Sequence, residues 1–263
     1  MLEKIKLDNI AAIAKDAGEA IMEIYAADFS VAFKEDGSPL TQADILANTI
    51  ICEALTVAYP QIPILSEENK TVPYEARQGW EYYWCVDPID GTKEFVEKNG
   101  QFTVNIALIH RDTPVLGVVY APALGDIYKA KKGEGAYKNG IRLPLKHNPE
   151  PERILNVVAS KSHLSADTQA FIDGLAEMAE HIRQVSIGSS LKLCLVAEGE
   201  ADVYPRMGPT MEWDTAAADA VVREAGKMTY RFDAHKGTVS SEPLRYNKIN
   251  LLNPWFVVEG RSK

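Results

Sequence analysis

Asp87 and Asp90 stand three positions apart around Pro88 in WCVDPIDGTKEF, residues 84–95. Proline does not permit a helix through this point, so the two carboxylates are not helix-surface decoration. They sit on a rigid turn that follows a strand-like aromatic run, EYYWCV, and loops at strand ends commonly carry function. Glu67 closes another apolar run, IPIL, and Asp214 opens the helix-like segment DTAAADAVVREAG. Four carboxylates at element ends can therefore converge. Converging carboxylates repel, and one must stay protonated unless a cation intervenes. The donors are all oxygens, with no Cys or His among them, which favours Mg²⁺ over Zn²⁺. Taken singly, each has a plainer use: Asp214 as a helix cap, Asp90-Gly91 as a turn, and Glu67 with Glu68 as surface charge.

The elements that must position these groups are legible from periodicity. Ile10, Ile13, Ala14, Ala17, Ile21 and Ile24 recur at helical spacing, and residues 42–59 form a second helix with Thr41 as its cap. IPILSEE is a short strand, and EYYWCVDP is a strand stopped by Pro88. FTVNIALIH and TPVLGVVYAP are neighbouring strands joined at Arg111-Asp112, and GDIYKAKKGEGAYKNG is a further hairpin. LPLKHNPEPER, with Pro144, Pro149 and Pro151, marks the boundary between halves. Beyond it lie a strand in ILNVVAS, a helix over 165–180 and a strand in IRQVSIGSS. A helix ended by Gly199, a strand in ADVYPR and a helix stopped by Gly226 complete the reading. The expected division is 1–148, an N-terminal α+β half with most carboxylates, and 149–263, an α/β half contributing Asp214.

Composition narrows the class. The chain has 263 residues and a net charge of −9, which argues against a nucleic-acid polymer as partner. An anionic ligand would need a local cation. Cys52, Cys85 and Cys194 lie among apolar residues with no CxxC pair, as reduced core thiols of a cytoplasmic protein do. No signal-like segment or membrane-length apolar run is present.

DPIDGTKEF, LSEE and WDTAAADAVVREAG together resemble the three signatures of the inositol monophosphatase-like superfamily of Mg²⁺-dependent, lithium-sensitive phosphatases. The resemblance runs over nearly the whole chain. It implies a layered α/β fold, an alternating α-β-α-β-α sandwich with the site between two halves. It implies metal ligands at Glu67, Asp87, Asp90, Asp214 and the Ile89 carbonyl, for two or three Mg²⁺ ions. It makes Asp44 and Thr92, alongside Glu67, the catalytic groups: Thr92 and Asp44 activate the attacking water, and no covalent phospho-enzyme forms. Gly91 and Thr92 would hold the scissile phosphate, with Lys93 beside them.

DGTKEF further resembles the bacterial 3′(2′),5′-bisphosphate nucleotidases linked to sulfate assimilation. Inositol monophosphatases place a Glu shortly before the WD pair to accept ring hydroxyls; here Arg206 stands within one residue of that place. Arginine accepts no hydrogen bond and is permanently cationic, so it suits a second phosphate. Lys192 and the Ser189/Ser190 turn in GSSLKLC resemble the same pattern, as do Ser160 and His163, with Asp214 also touching substrate. The plainer alternatives are a solvated Lys192 and an Arg206–Glu212 ion pair. The expected activity is conversion of adenosine 3′,5′-bisphosphate to AMP and phosphate, with action on its sulfated form as well. Inositol-1-phosphate hydrolysis and metal binding without turnover are the alternatives. The resemblance leaves open a homodimer and a peripheral place on the inner membrane.

Overall fold

A computed structural model describes residues 1–34, 39–69, 72–145, 154–159, 165–176, 179 and 181–259. In chain order its elements are α1 (Leu7–Ala26), β1 (Val31–Phe33), β2 (Pro39–Thr41), α2 (Gln42–Ala58), β3 (Ile64–Ser66), α3 (Tyr74–Arg77), β4 (Tyr82–Asp90) and α4 (Thr92–Val96). Next come β5 (Thr103–His110), β6 (Thr113–Ala121), β7 (Asp126–Lys131), β8 (Gly135–Lys138) and β9 (Ile141–Arg142). The second half has β10 (Ile154–Ala159), α5 (Ala166–Leu175), β11 (His181–Ser186), α6 (Leu191–Glu198), β12 (Val203–Arg206) and α7 (Glu212–Glu224). It ends in β13 (Met228–Asp233), β14 (Thr238–Pro243) and β15 (Phe256–Glu259).

The first half folds into a seven-stranded sheet, β3-β4-β5-β6-β7-β8-β9, and the second into a six-stranded sheet, β11-β10-β12-β15-β13-β14. Strand alternation decides what each face buries. Trp84, Val86, Ile106 and Leu108 point toward α1 and α2, whose own stripe buries Ile10, Ile13, Ala47 and Ile51. Each such aliphatic side chain contributes about 1.5–3 kcal/mol on leaving water. Tyr83, Cys85, Ala107 and Ile109 point the other way, into a core shared with α6, α7 and the Val158, Tyr204 and Val258 face of the second sheet. The remaining face of that sheet, with Val157, Val203 and Val257, packs on Ile172 and Leu175 of α5. The layers thus run α-β-α-β-α.

The alanines of α7 let it lie close on the first sheet. A side chain at Gly117 would meet the Ala217 carbonyl at 2.1 Å, so only glycine fits below this helix. Helix α7 belongs to the second half in sequence yet covers β5 and β6 of the first. That contact carries Asp214 to the strands bearing Asp87 and Asp90.

Two expectations change. Strand β4 does not stop at Pro88 but continues to Asp90 through a bulge: Asp87 pairs with Asn105 and Asp90 with Thr103. A bulge needs no ladder bond from its extra residue, so proline is tolerated there. Helix α5 ends at Leu175, short of 180. Strands β13, β14 and β15 carry no motif that announced them. The boundary at residue 148/149, with Pro149 and Pro151, lies outside the described residues. Cys85 and Cys194 are buried, Cys52 is half-buried, and all three are free. No helix among the described residues is long and apolar enough to cross a membrane.

Candidate active site

The bulge in β4 is what brings its two aspartates together. Residues three apart on a regular strand point to opposite faces. One extra residue between Asp87 and Asp90 restores the phase, so both face the inter-sheet layer. Parallel pairing of β3 with β4 puts Ser66 opposite Val86, and Glu67 N donates to Val86 O at 3.1 Å. Glu67 therefore emerges beside Asp87. Asp214, the third residue of α7, arrives from the other wall.

The carboxylates feel one another. Burial, then Glu67, Asp90 and Asp214, push Asp87 well above the usual carboxylate range. Burial followed by Asp90 does the same to Asp214, against a hydrogen bond from Met211 N at 2.8 Å. Asp90 is raised by burial and relieved by Lys192, Ser190 and Asn105. Asp87 Oδ1 is buried without a hydrogen-bond partner. Among the described residues no three such side chains close into a finished metal cage. Lys34, which sequence reasoning did not single out, holds Glu67 at 2.8 Å and Glu68 at 2.6 Å. The donor set suits a hard divalent cation: several carboxylates, mutually repelling, with an orphaned oxygen among them.

Behind them stands a second pair. Thr92 Oγ1 donates to Asp44 Oδ1 and to the Ile89 carbonyl, each at 3.2 Å. Asp44 Oδ2 accepts from Thr41 N at 2.7 Å and Thr41 Oγ1 at 2.6 Å, closing the capping box of α2. One oxygen caps the helix while the other addresses Thr92. Burial raises the Asp44 pKa, and the Thr41 and Thr92 hydrogen bonds oppose it. Gly91 caps α4 with φ 93°, a left-handed conformation that turns the chain from β4 into the helix.

A cavity of about 290 Å³ opens over this group. Its walls include Glu67, Asp90, Gly91, Thr92 and Lys93 from the first half and Ser189, Lys192, Arg206 and Asp214 from the second. Lys192 is buried, not solvated, and its ammonium lies 5.9 Å from the Tyr204 ring centre. Burial lowers its pKa to about 8, with Asp90 pulling upward and Arg206 downward. Arg206 does not pair with Glu212. Glu212 is fully buried and is held by Lys248 at 2.6 Å and by Asn247 N at 2.7 Å. Arg206 instead donates through Nη2 to Pro209 O at 2.8 Å. Its Nε and the Ser189 hydroxyl are buried with no partner. Ser160 and His163 lie outside the described residues.

Sequence reasoning placed Ser190 only in a substrate-side turn, not beside Asp90, and missed Asn105. Asn105 Nδ2 donates to Ser190 Oγ at 2.9 Å, and Ser190 Oγ reaches Asp90 Oδ2 at 2.8 Å. Asn105 lies in an apolar strand, opposite Asp87, and only the pairing register reveals it.

The sequence model of the inositol monophosphatase family matches residues 3–252. The chain belongs to the inositol monophosphatase family. It is 46% identical over 255 residues, covering 96% of this chain and 98% of the relative, to 3′(2′),5′-bisphosphate nucleotidase CysQ of Escherichia coli O157:H7. The crystal structure of CysQ from Bacteroides thetaiotaomicron, a bacterial member of the same family, superposes with a TM-score of 0.83 at 42% identity, covering 98% of both chains. An inositol monophosphatase from Anabaena shares the fold, with a TM-score of 0.69 at 24% identity over 97% of this chain and 89% of its own. The five layers described above are thus the family's layered fold.

Proposed function

We propose that this chain is a Mg²⁺-dependent phosphatase that removes the 3′-phosphate of adenosine 3′,5′-bisphosphate, and of its sulfated form, leaving the 5′-nucleotide and phosphate. The observation that carries the substrate class is the set of unspent donors in the cavity. Arg206 Nε and Ser189 Oγ are buried without partners, and the buried Lys192 lines the same wall. Buried donors normally find partners, so two unpaired ones beside the Lys192 ammonium in one wall of a carboxylate-rich cavity suit an anionic group supplied by the ligand. The relatives named 3′(2′),5′-bisphosphate nucleotidase support the same reading.

On this reading the two halves divide the work. Glu67, Asp87, Asp90, the Ile89 carbonyl and Asp214 hold Mg²⁺, two or three ions in all. When bound, Mg²⁺ supplies charge neutralisation at the phosphate and a water of lowered pKa. Gly91 and Thr92, with Lys93 at the rim, orient the phosphate that leaves. Thr92 takes a proton from the attacking water as its own passes to Asp44 Oδ1. The raised Asp44 pKa makes that carboxylate a better base than one in water. Ser189, Lys192 and Arg206 hold the second phosphate, which is not cleaved, and Ser160 and His163 extend the same contact set.

The test is phosphate release from adenosine 3′,5′-bisphosphate and from inositol 1-phosphate, with Mg²⁺ and with EDTA. Clear preference for the nucleotide, abolished by EDTA, is expected. Equal or better turnover of inositol 1-phosphate would overturn the substrate assignment.

A further inference from the structure

A single half-buried carboxylate in this cavity has no use in the reading above. Glu94 lines the wall with Lys192 and Arg206, two positions after Thr92. No described residue donates a hydrogen bond to it or pairs with it at contact distance; Lys192 meets it only through the field across the cavity. It is nevertheless closely flanked. A side-chain carbon added at Gly91 would lie 3.3 Å from Glu94 Oε2, and one at Gly188 would lie 2.8 Å from Glu94 Cγ. Gly188 is in turn held by its N–H, which donates to Gln101 Oε1 at 2.8 Å. Two backbones without side chains thus clasp Glu94 on either flank.

A closely flanked carboxylate with no described partner, beside a phosphate site, repels the ligand it helps to enclose. An ionised carboxylate only accepts hydrogen bonds, so it becomes favourable when the ligand presents a donor there. We propose that Glu94 accepts a hydrogen bond from the hydroxyl next to the cleaved phosphate, which is the ribose 2′-hydroxyl when the 3′-phosphate is removed. This rests on the nucleotide reading and deepens it. The cavity then has two characters: donors at Ser189, Lys192 and Arg206 for the retained phosphate, and an acceptor at Glu94 for the sugar. The acceptor sits near Gly91, on the side where the ester bond breaks, so it meets the sugar and not the base. A site built to pair with a hydroxyl discriminates against the analogue that lacks it, because the site's own polar group is then left without a partner.

The experiment compares kcat/KM for adenosine 3′,5′-bisphosphate and for 2′-deoxyadenosine 3′,5′-bisphosphate in wild type, Glu94→Gln and Glu94→Ala. Wild type should prefer the ribonucleotide by about tenfold or more, as expected for a hydrogen bond to a charged acceptor. Glu94→Ala should bring the ratio to about one. Glu94→Gln keeps a carbonyl acceptor and nearly the same shape, so it should fall between, and it carries the test if the alanine variant does not fold. A preference that is the same in wild type and both variants would overturn the proposal while leaving the nucleotide reading intact. Wild type that turns over neither nucleotide would remove the nucleotide reading and this proposal together.

Discussion

Ser190 Oγ lies 2.8 Å from Asp90 Oδ2 and 2.5 Å from the backbone carbonyl of Asp214. One hydroxyl at the start of α6 thus joins the aspartate of β4 to that of α7. Its single hydrogen is shared between two acceptors, while its oxygen accepts from Asn105. The spacing of Asp90 and Asp214 is set through this group.

Ser190→Ala should therefore act on metal use more than on the fold. A hydrogen bond to a charged group contributes about 1.5–3 kcal/mol, and the alanine leaves Asn105 and Asp90 short of a partner. The expected result is a roughly tenfold or greater rise in the Mg²⁺ concentration giving half-maximal activity. Titrating activity against Mg²⁺ for wild type and variant checks this. An unchanged midpoint would show that Ser190 does not set the ligand spacing.

Mg²⁺ should stabilise the protein, and more so at higher pH. Asp87, Asp90 and Asp214 have folded-state pKa values above those of a free aspartate. Without metal the folded state binds more protons than the unfolded one above about pH 4, so stability falls as pH rises through the raised values. A cation removes the repulsion. At a hundredfold excess over its Kd, a ligand that binds only the native state adds about 2.7 kcal/mol. Melting temperatures in EDTA should fall from pH 5.5 to 8, and Mg²⁺ should close the gap. A melting temperature indifferent to Mg²⁺ at pH 8 would remove the metal reading.

Asp90→Asn should abolish turnover and keep the fold. Asparagine matches the shape and can still accept from Ser190, but it removes charge that a hard cation requires. It also relieves repulsion on Asp214, so the metal-free variant should melt at or above the wild-type temperature. Near-normal phosphate release from folded Asp90→Asn would contradict the assignment.

Lys192 gives the bisphosphate its own pH dependence. Its pKa is lowered to about 8, so it loses its charge as pH rises past that value, well before a free lysine would. The ratio of kcat/KM for adenosine 3′,5′-bisphosphate to that for inositol 1-phosphate should fall through the same range. Bound phosphate will move the midpoint upward. Lys192→Met should flatten that limb. Burying the ammonium also costs stability below pH 8, a cost relieved between the folded value and the free-lysine value.

Arg206 should contribute only when a second phosphate is present. Arg206→Ala is expected to lower kcat/KM for the bisphosphate roughly ten- to a hundredfold and to leave inositol 1-phosphate hydrolysis nearly unaffected. Arg206→Glu should go further, by setting a carboxylate against that phosphate. A constant substrate ratio across wild type and both variants would mean that Arg206 does not read it.

The sequence by itself determined the amphipathic α1, the capped α2, the hairpins of the first sheet and the carboxylates at element ends. These are local consequences of side-chain period, capping and turn chemistry, which are written within a few residues. It also placed Asp44, Asp87, Asp90, Thr92, Lys192 and Arg206 under suspicion, through motifs that stay contiguous in the chain.

Only the tertiary structure decided how those residues meet. The phase of Asp87 and Asp90 depends on a bulge, visible only once β4 is paired with β5. A capping role and a site role looked like alternatives for Asp214; in the fold Asp214, and Asp44 likewise, caps its helix with a carboxylate oxygen and still faces the site. The sequence leaves a solvated Lys192 open; the fold buries it beside the Tyr204 ring of β12. Asn105 and Lys34 carry no local signal, and the motifs holding Ser190 and Glu94 do not say what each does, because what matters is the partner each finds, or lacks, across the fold. Side-chain type is a property of the chain, but burial, register and hydrogen-bond satisfaction belong to pairs of segments distant in sequence, and packing alone fixes those pairs.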